Sequence, residues 1–292
     1  MENNQVELLF GKAGLEFVPF VDQLANVLTG HQYTIVPLAE IESLEALEAI
    51  KTMWTEILYR SHWAASTSIL RTHRWVHAAL NAATAANYIE FSSSLRGFLE
   101  SGGDTFDGLK DVATTLAEHS SHITKHLNKE KAELLLISGL EEKLIHFTHA
   151  RRLAKSHSFP EYHEAKPTTE YIRQLQELNE TVVLECYSEL CQITHPAALS
   201  LSCFLDYDGE NLFILRNNKD LALITDLCRR YSDVINKIFH ISVNAPMLIL
   251  KVLNRFPVPG VATPNVELID SEAPAWLKIE KLFKESSRTA EA

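Results

Sequence analysis

Leu44-Glu45-Ala46-Leu47-Glu48-Ala49-Ile50-Lys51-Thr52-Met53-Trp54-Thr55-Glu56-Ile57-Leu58 is the stretch that decides how this chain folds. Leu44, Leu47, Ile50, Met53, Trp54, Ile57 and Leu58 recur three and four residues apart, the spacing that lines apolar side chains along one face of an α-helix. The pattern runs from Leu38 to Ala154, and no proline occurs between Pro37 and Pro160. Breaks must therefore come from other residues. Ser101-Gly102-Gly103-Asp104, with Asp104 as a cap, and Leu127-Asn128 are the candidates. They predict helices near 38–60, 64–80, 84–100, 105–127 and 130–154.

Outward from this block the signals are weaker. Residues 1–37 read as an N-terminal segment with a short extended stretch at Tyr33 to Val36. Lys155 to Pro167 is polar, carries two prolines and reads as a loop,. A helix is expected from Thr168 to about Thr194, stopped by His195-Pro196, because the residue before proline resists helical angles. Ser200 to Leu205 and Leu212 to Leu215 flank Asp206-Tyr207-Asp208-Gly209, which predicts a β-hairpin turning at Asp208-Gly209. Helices near 219–238 and 245–254 follow, and then a tail, 257–292, with a short helix. The expected fold is all-α, a multi-helix bundle in one domain, 38–256, with a small β-hairpin insertion near 200–216.

Composition narrows the function classes. The 292 residues are 46% hydrophobic and 22% charged, ordinary values for a folded globular protein,. A net charge of −11 disfavours nucleic acid as a partner without excluding it, since that affinity comes largely from neutralising phosphates,. The four cysteines, Cys186, Cys191, Cys203 and Cys228, lack Cys-x-x-Cys spacing, and Met1-Glu2-Asn3-Asn4 does not look like a secretory signal,. The most apolar late stretch, Ala245 to Leu253, is too short to span a bilayer. A soluble cytoplasmic protein with reduced thiols, no membrane partner and no cofactor is expected.

Three residue groups could carry chemistry. The first lies in Ile57 to Ile89, which contains no acidic residue. Arg71, Arg74 and His77 stand out there, with His73, Arg60, His62, Tyr59, Trp63 and Trp75 around them. Arginines and aromatics in company suit phosphate or single-stranded nucleic acid. The plainer reading is a helix whose arginines meet carboxylates on neighbouring acidic helices. The second group is His119, His122 and His126, which fall within about 60° of one another on a helical wheel. They are a metal candidate only in their residue type, because one helix rarely supplies three ligands with workable geometry; no bound metal is expected. Nucleotide-binding glycine loops, Gly-x-Ser-x-Gly and His-Glu-x-x-His are absent from the sequence,.

The third group spans two helices. Arg96 and Glu100 stand one turn apart, and Tyr187-Ser188-Glu189-Leu190 leads to His195-Pro196. This pattern resembles a set of uncharacterised bacterial helical proteins over about residues 60–200. In them an Arg-x-x-x-Glu helix is followed by a Tyr-x-x-Leu…His-Pro helix end. Those proteins look distantly like the HEPN superfamily of small helical bundles, many of them dimeric ribonucleases of toxin and phage-defence systems. The resemblance implies that Arg96, Glu100, Tyr187 and His195 converge in space. The superfamily's catalytic motif, an arginine followed after four to six residues by a histidine, is matched by Arg71 with His77 and by Arg151 or Arg152 with His157. Neither match has the polar Asn or Asp that commonly follows the motif arginine. The leading expectation is a non-enzymatic helical protein, homodimeric, acting through protein partners in stress or phage defence. The alternative is a metal-independent ribonuclease using an Arg/His pair.

Overall fold

Ala64 and Ala65, wholly buried, follow the break expected between residues 60 and 64, and the helix runs straight through it. In the computed structural model, which describes residues 3–131, 133–153, 159–178, 181–207, 209, 212–268 and 271–291, 74% of the chain is helical. The chain is all-α with one small hairpin. In order come α1 (Asn3–Val27), α2 (Leu38–Ile41), α3 (Ala46–Thr84), α4 (Tyr88–Leu109), α5 (Val112–Glu118), α6 (Ser120–Leu127), α7 (Ser138–His149), α8 (Thr168–Gln174), α9 (Thr181–Thr194), α10 (Ala198–Ser202), β1 (Leu205–Tyr207), β2 (Phe213–Leu215), α11 (Asp220–Leu253) and α12 (Pro274–Glu291). Short 3-10 turns occupy Glu161–His163, Leu175–Leu178 and Pro264–Leu268.

Several boundaries differ from expectation, each for a physical reason. The break expected between 60 and 64 is absent. Ser61 and Thr67 donate their hydroxyls to the carbonyls of Ile57 and Trp63, four residues back, at 2.8 Å each, so they stay inside the ladder,. The α3–α4 break falls instead at Ala86, whose φ of 48° is left-handed. Ser101-Gly102-Gly103-Asp104 does not interrupt α4. The 130–154 helix shrinks to α7, after a left-handed Lys129. The long helix expected from Thr168 divides into α8, a 3-10 turn and α9. Residues 198–202 are helical rather than extended, so β1 starts later than expected. Its register with β2 pairs Leu205 with Leu215, Asp206 with Ile214 and Tyr207 with Phe213. Pro246 is absorbed within α11. The N-terminal segment is mostly α1, which turns at Gly11 (φ 66°).

Two compact units form, each from three separated segments. Met1–Gln23, Ile69–Phe106 and Lys166–Val243 make the first. At its core Phe10 of α1 sits 4.6 Å from Phe239 of α11 and 6.3 Å from Phe98 of α4, centroid to centroid. The glycines of α4 govern how closely its neighbours approach. A Cβ on Gly97 would lie 2.7 Å from the Trp75 ring, on Gly102 2.5 Å from Ile238 Cγ2, and on Gly103 2.6 Å from the Tyr171 carbonyl oxygen.

Leu24–Ser68, Asp107–Ala165 and Asn244–Ala292 make the second unit. Here α12 packs along α5 and α6 and buries Trp276. His62 is wholly buried, with Nδ1 2.7 Å from the Tyr33 hydroxyl and Nε2 3.0 Å from Thr263 Oγ1. Burial, with the neighbouring His31 adding to it, depresses its pKa to about 4. Among the described residues no helix is long and apolar enough to cross a membrane.

Two expectations test this packing. Glycine to alanine inside a helix ordinarily stabilises by up to about 1 kcal/mol. Gly103→Ala will instead destabilise by about 1–3 kcal/mol, because the added carbon meets a backbone oxygen that has no rotamer to move; urea unfolding of the purified variant measures it. His62 charges more easily unfolded than folded, so its contribution is complete above pH 6.5 and is lost as pH falls toward 4. At about 1.4 kcal/mol per unit the loss is on the order of 3 kcal/mol. Melting temperature followed from pH 7 to 4 will therefore fall less steeply in His62→Asn than in the parent.

Candidate functional site

Glycine at position 97 brings α4 close against Trp75; Arg96 precedes it by one residue and Glu100 follows one turn after Arg96. Arg96 Nε–H donates to Glu100 Oε1 at 2.9 Å, and the Tyr187 hydroxyl of α9 donates to the same oxygen at 2.9 Å. At the far side of the guanidinium, Nη1–H donates to Thr194 Oγ1 at 3.2 Å and to His195 Nε2 at 3.1 Å. The Thr194 hydroxyl spends its own proton on the Leu190 carbonyl at 2.8 Å, which leaves its lone pairs for the arginine. A guanidinium only donates, so His195 Nε2 accepts, in the tautomer that carries its proton on Nδ1. Pro196 explains why the imidazole sits at the helix end: it bars α9 from continuing.

Arg96, Glu100, Tyr187 and His195 therefore form one connected network. Partial burial opposes the charge on Arg96, but the Glu100 carboxylate outweighs it and raises the pKa. Burial, then the bond to Glu100, then Cys191 push Tyr187 well above the usual phenol range, so it stays a donor. Arg96 and Glu100 are each about a quarter exposed and His195 is exposed. The arrangement can tie the last turn of α9 to α4 while presenting an imidazole beside a guanidinium at the surface.

The other candidates part company. Arg71 Nη2 lies 2.6 Å from Asp104 Oδ2, His77 Nε2 lies 2.6 Å from Asp22 Oδ1, and Arg74 is exposed. Carboxylates take up two of these three groups, one arginine and one histidine. His119 stands at the joint between α5 and α6 (φ −100°, ψ 9°), so the wheel that aligned it with His122 and His126 does not apply. His126 is wholly buried. It stacks on Trp54 at 6.4 Å between centroids, and its Nδ1 lies 3.2 Å from the Lys131 carbonyl. Arg152 is exposed, and His157 lies outside the described residues.

Sequence reasoning missed Asp22 and the role of His73. Among the described residues, Asp22, His73 and His77 form a trio whose ligand atoms lie within 4.8 Å of one another. His73 Nε2 is 3.1 Å from Asp22 Oδ1. Burial and then the neighbouring His77 lower the His73 pKa against the pull of Asp22, keeping that imidazole neutral near pH 7. The four-residue spacing of His73 and His77 was a readable signal, but nothing local pointed to a carboxylate on α1. Comparison with known protein families, with curated proteins and with solved structures returns no match.

The network makes a graded prediction. Tyr187→Phe removes a donor to a charged, partly buried acceptor and will lower stability by about 1.5–3 kcal/mol. His195→Ala, at an exposed position, will change it by no more than about 0.5 kcal/mol. Urea denaturation of both variants checks the order; a larger loss for His195→Ala would make the imidazole a structural member.

Proposed function

We propose that this is a non-enzymatic helical protein that works by protein–protein contact, with the β1–β2 hairpin as its docking arm and a second copy of the chain as its first partner. The observation that carries this reading is the hairpin's apolar face. The register puts Leu205, Tyr207, Phe213 and Leu215 on one side, and Tyr207, Phe213 and Leu215 are 60%, 65% and 79% exposed. Tyr207 and Phe213 lie against each other at 5.2 Å between centroids. The other side carries Asp206, paired with Arg216 at 3.2 Å and Lys219 at 2.8 Å. A contiguous exposed apolar patch on an acidic protein marks an interaction site. A two-stranded sheet is marginal alone and has outer edges that a further strand can pair with, so two copies related by a two-fold axis can complete each other. The carboxylate-paired arginines support the same reading, since Arg71, Arg96 and Arg230 each have an acidic partner. Stress or phage defence is the setting that the sequence resemblance suggests.

One observation favours a second reading, a metal-independent ribonuclease. Arg96 and His195 stand 3.1 Å apart at the surface, a phosphate-stabilising cation beside an imidazole nitrogen that accepts from it,. Under that reading His195→Ala abolishes RNA cleavage and chelators leave it untouched.

The docking arm is tested by light scattering across micromolar concentrations. The parent chain will dimerise, and Phe213→Asp with Leu215→Asp will be monomeric with an unchanged helical circular dichroism spectrum. A parent chain that stays monomeric throughout would remove this reading.

A further inference from the structure

His73 and His77 stand one turn apart on α3, so their imidazoles project from the same face of the helix,. Asp22 reaches them from α1. Both Nε2 atoms aim at a single carboxylate oxygen, at 3.1 and 2.6 Å. The two rings lie 4.4 Å apart between centroids. Two imidazole nitrogens and one carboxylate oxygen within 4.8 Å of one another make a donor set suited to borderline divalent ions such as Zn²⁺ or Co²⁺, and poorly suited to Mg²⁺ or Ca²⁺, which prefer oxygen alone,.

The dimensions fit an ion with little movement. Zinc bonds of about 2.0–2.2 Å in a tetrahedron place ligand atoms roughly 3.3 Å from one another. The His73 distance of 3.1 Å is close to that and the His77 distance of 2.6 Å is about 0.7 Å shorter, as expected where the carboxylate oxygen accepts a hydrogen bond from the ligand itself. Small rotations of three side chains would open the triangle to coordination length. Access is also adequate, because the side chains of His73, His77 and Asp22 are 22%, 26% and 36% exposed. Three protein ligands leave a tetrahedral ion one position for water, the arrangement of open rather than closed sites.

We propose that Asp22, His73 and His77 form a transition-metal site of two histidines and one carboxylate that takes one Zn²⁺-class ion per chain with solvent completing its coordination. The site is separate from the Arg96 network and from the hairpin, so it stands or falls independently of the docking arm.

Titration of the full chain with Zn²⁺ by calorimetry, and with Co²⁺ by visible absorption, tests it. The parent will bind one ion per chain with a rise in melting temperature. His73→Ala, His77→Ala and the near-isosteric Asp22→Asn will each weaken binding by more than about tenfold, since even groups standing behind a metal ligand are commonly worth that much. Should an alanine variant fold poorly, His73→Gln and His77→Gln keep a polar side chain and are expected to show the same loss. His122→Ala and the monomeric hairpin variant will bind as the parent does. Absence of stoichiometric binding by the parent would overturn the proposal. So would binding that survives the paired His73→Ala and His77→Ala change, or that disappears in His122→Ala, either of which would place the ion elsewhere.

Discussion

Three of the four glycines on α4 set how closely the first unit can pack. Gly97 lies under the Trp75 ring, Gly102 under Ile238 and Ser242, and Gly103 under the backbone of Tyr171. A methyl group at any of them would have to displace a neighbour, and at Gly103 that neighbour is main chain. Close approach lets the dispersion contacts of a dense interior form on several sides of one helix. Arg96 and Glu100 sit among these glycines, so the packing that seats α4 also places the polar network. The aromatic cluster of Phe10, Phe98 and Phe239 draws on the same helix.

Charge is arranged by import. The stretch from Ile57 to Ile89 has no carboxylate of its own, and three of its basic side chains meet acids from other segments: Arg71 meets Asp104, while His73 and His77 meet Asp22. A partly buried guanidinium that lacked a counter-charge would be costly, and these pairings remove that cost. On α9 and α11 the same economy is denser. Glu189 accepts two bonds from Arg230, at 2.5 and 2.6 Å, and a third from the Tyr231 hydroxyl at 2.9 Å. Against this background of matched charge, the hairpin differs in kind, since its Tyr207, Phe213 and Leu215 face solvent.

Local pattern made the helices legible, and with them the Arg96–Glu100 and His73–His77 spacings, because residues four apart on a helix must share a face. It failed where a residue's role depends on its neighbours in space. Gly102-Gly103 reads as a break by propensity, yet propensity is a preference of about 1 kcal/mol that tight packing overrides. A break is expected between 60 and 64, yet the helix is continuous and Ala64 and Ala65 just beyond that point are fully buried. His119, His122 and His126 aligned on an ideal wheel, but the chain reorients at His119 and turns His126 into the core against Trp54.

What the sequence determined by itself was the all-α class, the hairpin between 200 and 216 and the end of α9 at Pro196. All three follow from spacing, turn chemistry and the steric demands of proline within a few residues. The meeting of Arg96 with Tyr187 and His195 was implied by resemblance to other helical proteins and not by any spacing. The meeting of Asp22 with His73 and His77 was not implied at all. Tertiary structure alone decided these contacts, because they join residues between 51 and 99 positions apart, and no local preference specifies which helix faces which. That choice belongs to the packing of glycine, alanine and phenylalanine surfaces, whose energy exists only once the helices touch.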